Sequence, residues 1–252
     1  MKKYLAGLLI GLAAFALAGE ARAAFDWGNL IRVVYDTTGN VEVATDLGSI
    51  TTWTSPASIP TQTLGGGAAA FNLGMFGSGA SWDNLRIAYF AVDNTAAENG
   101  WTSGPLDGTQ TSGNRQFGPL KSGFDNVSNY YKTLPGTTGT VSAVKSYDNS
   151  YWNIMDKNGV GVGTFNGFIP LGGGEISLAA LGTTGYVEQA LYFFDFPNSV
   201  NSGVQLVTIR TMADGSTQVI NPVPVPPSVL LLGSGILGLI GFRSRVKNPL
   251  AS

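Results

Sequence analysis

Four glutamates in the central part of the chain, Glu42, Glu98, Glu175 and Glu188, are the side chains best suited to catalysis. Two of them facing each other about 5 to 9 Å apart would supply the acid and base, or acid and nucleophile, of glycoside hydrolysis. Little else is available. The 252 residues contain no histidine and no cysteine, which removes the commonest general base, any Ser-His-Asp triad, thiol nucleophiles and the usual zinc and copper ligands. Sequence spacing does not pair any two of the four glutamates. No catalytic residue, metal ligand or cofactor is assigned, and the chain does not read as an enzyme.

A second chemistry is sugar binding. Trp53, Trp82, Trp101 and Trp152, with Tyr130, Tyr131, Tyr147 and Tyr151, offer flat apolar faces on which sugar rings pack while Asn and Asp bond the hydroxyls. Large aromatics also dominate burial, so most are expected inside. Asp-Asn pairs at 83-84, 93-94, 125-126 and 148-149 are oxygen-rich in the way calcium sites are. They are equally common turn formers. No spacing matches an EF-hand, and the fragment Asp156-Lys157-Asn158-Gly159 is too short to count.

The residues with the clearest destiny are those that other enzymes would act upon. Lys2 and Lys3 precede an apolar run from Leu5 to Ala18, and Ala21 and Ala23 place small residues where a signal peptidase reads. Cleavage after Ala23 is expected, so that the mature chain starts at Ala24. The alternative, an uncleaved anchor, needs a longer run, of about 20 residues.

At the other end, Pro222, Pro224, Pro226 and Pro227 favour an extended, exposed segment. Fourteen uncharged residues, Val229 to Phe242, follow, and then Arg243, Arg245 and Lys247. As a helix the span covers about 21 Å against a hydrocarbon thickness of roughly 30 Å. The three cations can snorkel to lengthen it, and they favour the cytoplasmic side. Ser234 and Gly238 have small-xxx-small spacing, which allows close approach by another helix. Burial of this segment in a soluble core is the rival reading.

These signals divide the chain into a signal peptide (1–23), an extracytoplasmic body (24–221), a proline-rich linker and sorting motif (222–228), a transmembrane helix (229–242) and a basic cytoplasmic tail (243–252). Between Ala24 and Pro227 there are eight Lys and Arg against fifteen Asp and Glu, a formal charge of −7. An acidic body is repelled by phosphates and anionic lipid surfaces, so nucleic acid is not expected as a partner.

Thirty-five glycines and all five tryptophans fit a turn-rich β-fold with a packed core better than disorder. Ile31, Val33 and Tyr35 alternate with Arg32, Val34 and Asp36, and the run Val41 to Leu47 alternates as well, with Glu42 and Asp46 expected to face water. Thr37 to Asn40 reads as a hairpin loop between them. Further strands are expected at Leu85 to Val92, Tyr151 to Met155, Val160 to Phe168, Val187 to Phe196, Gln205 to Met212 and Thr217 to Ile220, the last pair joined by Ala213-Asp214-Gly215-Ser216. Short helical pieces are expected around Asn126 to Leu134 and Ile176 to Leu181. Without a repeat of fixed length a solenoid is disfavoured. The fold expected is all-β, a β-sandwich or jelly-roll-like ectodomain.

Pro224-Val225-Pro226, the span from Leu230 to Leu239 and Arg243-Ser244-Arg245 together resemble the PEP-CTERM sorting signal of Gram-negative bacteria, over roughly the last 30 residues. The glutamate usual between the prolines is Val225 here, as in variant Val-Pro-Val-Pro signals. The resemblance implies an exosortase, a membrane transpeptidase, as partner, with cleavage near the proline motif and passage from an inner-membrane intermediate to the cell surface or extracellular matrix, in association with exopolysaccharide. The stretches Ile31 to Asp36, Val41 to Gly48 and Thr208 to Thr211 are similar to ectodomains of this class, which implies location rather than activity. A structural or adhesive surface role is thus the primary expectation. A lectin-like carbohydrate-binding module is the second, and a carboxylate-dependent glycan-active enzyme the third.

Overall fold

Thr37 to Asn40 turn the chain back on itself between β1 (Asn29–Asp36) and β2 (Val41–Ser49), which pair antiparallel with Tyr35 opposite Glu42. The Asp36 side chain accepts the Thr38 N–H at 2.8 Å, the local bond that makes Asp a turn former. The computed structural model describes residues 25–54, 61–94, 98–106, 117–137, 139–155, 174–195 and 203–220. Beyond the first hairpin come α1 (Ile50–Thr54), β3 (Gln62–Leu64), β4 (Leu85–Asp93), β5 (Asn99–Gly104), α2 (Phe117–Thr133), β6 (Gly136–Thr137) and β7 (Thr140–Val144). They are followed by α3 (Tyr151–Ile154), β8 (Glu175–Ser177), α4 (Leu181–Thr184), β9 (Tyr186–Asp195), β10 (Val204–Met212) and β11 (Thr217–Ile220).

The strands form one antiparallel sheet in the order β3-β11-β10-β9-β5-β4-β1-β2-β7-β6, with β8 also alongside β4. A twisted open sheet of more than about ten strands tends to curl. This one curls until β1 meets the β10–β11 turn, where Arg32 donates to the Gly215 carbonyl at 2.7 Å. The two layers expected of a sandwich are therefore two limbs of a single sheet. Inside the curl, Leu30, Val34, Val43, Ile87, Leu191, Ile209 and Val219 pack together.

The outer face of the central strands is covered too. Leu120, Phe124, Val127 and Tyr131 form one stripe of α2 and pack on Val33, Phe90 and Tyr192, the i, i+4, i+7, i+11 spacing of an amphipathic helix. The helix is longer than expected. It begins nine residues before Asn126 and ends at Thr133, one residue before Leu134-Pro135, where the residue preceding proline is driven out of the helical region. With both faces covered, β1 is buried from Leu30 to Asp36. Glu42, expected to face water, lies beneath α2 and is fully buried, whereas Asp46 is partly buried.

The strands expected over Leu85 to Val92, Val187 to Phe196, Gln205 to Met212 and Thr217 to Ile220 correspond to β4, β9, β10 and β11 within two residues. Tyr151 to Met155 is a helical turn, α3, rather than a strand. Ser150 caps it by accepting the Asn153 N–H at 3.1 Å, a local bond that favours helix over strand. Ile176 to Leu181 is not a helix: its start is β8 and its end opens α4. The Val160 to Phe168 segment lies outside the described residues. Among the described residues, no helix is long and apolar enough to cross a membrane.

Candidate functional site

β1 places Arg32 on one face of the sheet and β2 places Glu42 on the other, and each gathers a buried polar cluster. Inside the curl, the Arg32 guanidinium donates from one nitrogen to the Gly215 carbonyl at 2.7 Å and to Thr217 Oγ1 at 3.0 Å. Its other terminal nitrogen donates to Thr45 Oγ1 at 3.0 Å and the Ala69 carbonyl at 2.8 Å. The group also lies 4.8 Å over the Phe71 ring. These acceptors are neutral oxygens, and burial lowers the Arg32 pKa to about 10. Arg32 still carries its proton at neutral pH. Beside it the Tyr89 hydroxyl bonds Thr211 and Thr217 at 2.6 and 2.9 Å, and burial raises its pKa.

The fork geometry of arginine explains the residue type, since one planar group reaches β2, the 67–69 turn and the β10–β11 hairpin together. Gly215 sits at φ 78° against the Phe71 backbone, where an added Cβ would stand 1.7 Å from the Phe71 carbonyl oxygen. No side chain fits there.

On the outer face, Glu42 Oε1 accepts the Tyr131 hydroxyl at 2.8 Å and the Tyr151 N–H at 2.9 Å, and Oε2 accepts the Trp152 N–H at 3.1 Å. The first turn of α3 thus points its N–H groups at a carboxylate, the favourable end of a helix for negative charge. Burial nevertheless dominates and lifts the Glu42 pKa to about 7, against the lowering effect of these bonds and of Lys145. Burial, then the nearby Glu42 charge, pushes Tyr131 well above its ordinary value. Lys145 is buried, donates to the Asp36 carbonyl and lies 4.7 Å from the Trp152 ring centre.

The same α3 reaches a second carboxylate. Glu175 Oε1 accepts the Tyr151 hydroxyl at 2.6 Å, and Oε2 accepts the Tyr35 hydroxyl at 2.6 Å. Tyr151 therefore joins the two glutamates, backbone N–H to one and hydroxyl to the other. Chemically this is a set of hydrogen bonds to two carboxyl groups that ties α2, α3 and β8 to β1 and β2. Glu42, at 0% exposure, is closed off from a substrate.

Of the four candidate glutamates, then, Glu42 and Glu175 share this cluster. Glu188 accepts from Arg210 Nε and a terminal nitrogen at 2.9 and 2.6 Å. Glu98 stands apart, exposed, with φ 48°. Among the candidate aromatics, Trp101, Tyr130, Tyr131 and Tyr151 are buried, Trp82 and Trp152 partly buried and Tyr147 exposed. The side chain of Trp53 lies outside the described residues, as do Asp156 to Gly159. Asp125-Asn126 falls inside α2 and Asp83-Asn84 in a 3-10 turn. Among the described residues, no three Asp or Glu side chains are placed to hold a metal ion.

The Arg32 and Tyr89 partnership and the role of Tyr35 have no sequence motif. The signal available was the uninterrupted apolar character of Leu30 to Tyr35 around Arg32, which marks a strand covered on both faces and hence a charge in need of internal partners. The signal-cleavage residues Ala21 and Ala23, the motif Pro224, Val225 and Pro226, and the basic residues Arg243, Arg245 and Lys247 all lie outside the described residues. Comparison with family models, with curated proteins and with solved structures gives no match for this chain.

Proposed function

We propose that this is an exported surface or matrix protein of a Gram-negative bacterium, with a structural or adhesive role, whose β-sandwich-like ectodomain is delivered by a signal peptide and sorted through a PEP-CTERM-like tail. The observation that carries the reading is the C-terminal order Pro224-Val225-Pro226, then fourteen uncharged residues, then Arg243, Arg245 and Lys247. In it, the span enters the inner membrane as a helix, the cations hold its end in the cytoplasm, and an exosortase cuts near the prolines. In this reading the body is not catalytic, and Glu42, Glu175 and Glu188 serve internal hydrogen bonds.

Intact-mass measurement of surface material from the native host and from a strain lacking the exosortase tests the proposal. Loss of about the last 25 residues in the host alone supports it. Full-length chains in both strains would leave a simple membrane-tethered protein. A body that releases reducing sugar from a glycan would overturn the non-catalytic part.

A further inference from the structure

Among the described residues, Tyr147 is an exposed large aromatic that packs on Tyr130 of the outer core. Its side chain is 49% exposed, yet its position is fixed. Its N–H donates to the Val144 carbonyl at 3.1 Å and its carbonyl accepts the Ser150 N–H at 2.9 Å, so two consecutive turns hold its backbone. Its ring stacks on Tyr130 with centroids 4.3 Å apart and planes 22° apart. Tyr130 is itself anchored on α2, and its hydroxyl accepts the Val144 N–H at 3.1 Å. One face of Tyr147 is therefore packed on Tyr130, and about half of the residue remains open to solvent.

From this geometry we infer that Tyr147 is a stacking platform for a sugar ring of a neutral polysaccharide. The apolar underside of a pyranose needs a flat ring that loses little freedom on contact, which the stacked pair supplies. Hydroxyls around the sugar edge need small polar partners. Asn40 and Asp148 are exposed in the same turn region: Asn40 Oδ1 accepts the Ser146 N–H at 2.8 Å, which leaves its amide N–H groups as donors, and Asp148 follows Tyr147 directly. An acidic polymer is disfavoured, because the exposed Asp148 follows Tyr147 directly and the body carries an excess of negative charge. Tyr186, the other exposed tyrosine among the described residues, differs: Arg210 lies 4.4 Å from its centre and is paired with Glu188. The inference deepens the proposed surface role by naming the contact to a matrix glycan. Because binding is measured in vitro, its failure is separate from failure of sorting.

The test is affinity electrophoresis of the full-length protein in mild detergent, through gels containing dextran, galactomannan or hydroxyethyl cellulose. At least one of these neutral polymers retards the wild type. Tyr147→Ala weakens the retardation about tenfold, the size of one aromatic stacking contact, and Tyr147→Phe preserves it. Absence of retardation by all three polymers would overturn the inference. So would an equal shift for Tyr147→Ala, or a loss that follows Tyr186→Ala instead.

Discussion

Replacing Glu42 by glutamine should change the pH dependence of stability more than stability itself. Burial raises the folded-state pKa of Glu42 from the ordinary value of 4.5 to about 7. The native state therefore binds this proton more tightly than the unfolded chain. Its contribution is fully present below pH 4.5 and is lost as pH rises through 7. The interval between the two values corresponds to roughly 3 kcal/mol. Glutamine keeps an oxygen for the Tyr131 hydroxyl and the Tyr151 N–H, but sets an amide donor against the Trp152 N–H, at a pH-independent cost of about 1 kcal/mol.

The assay is urea unfolding of wild type and Glu42→Gln at half-unit steps from pH 5 to 8. The wild type should lose most of that 3 kcal/mol across the range, whereas the variant stays flatter. Wild type is the more stable at pH 5, and the gap closes or reverses at pH 8. Parallel curves for the two proteins would refute the reasoning, because burial would then not be what governs this carboxyl group.

Three further outcomes follow from the same geometry. Gly215→Ala places a methyl group on the Phe71 carbonyl at a positive φ and should destabilise by more than about 2 kcal/mol in urea unfolding; a neutral result would contradict the close approach. Arg32→Lys keeps the charge but cannot span the acceptors on Thr45, Ala69, Gly215 and Thr217, so a loss of about 2 to 4 kcal/mol is expected in the same assay. Burial raises the Asp36 pKa, but the Gly39 and Thr38 hydrogen bonds outweigh it and hold the group below the ordinary carboxylate range, and Asp214 is held low by its bonds from Ser216. Both contribute stability that is present above about pH 4 and lost on further acidification, so Asp214→Ala should reduce the slope of acid unfolding below pH 4.

The hairpins were readable in the sequence because their determinants are local. Alternation around Val41 to Leu47 and the turn residues at Thr37 to Asn40 and Asp214-Gly215 operate within ten positions of one another. Glu42 is buried rather than facing water, which alternation cannot reveal: it shows which residues share a face, not whether another element covers that face. The cover is α2, whose sequence opens with Phe117-Gly118-Pro119 and contains Ser122-Gly123. Those residues lower intrinsic helix propensity, while packing of Leu120, Phe124 and Val127 on the sheet offsets it. Tyr151 to Met155 has the composition of a strand, and beside the local Ser150 cap its first N–H groups are held by Glu42, more than a hundred residues away. The curl of the sheet, and with it the meeting of Arg32 with Thr217, is likewise set by contacts across the whole chain.

Export to the surface is tested most directly by treating intact cells with a membrane-impermeant amine reagent and mapping the modified lysines. Lys121 and Lys132 are partly exposed on the outer face of α2, and Lys145 is 5% exposed. A folded body outside the cell takes label on Lys121 and Lys132 without lysis, while Lys145 remains unmodified. Label that appears on these lysines only after the cells are broken open would contradict the account.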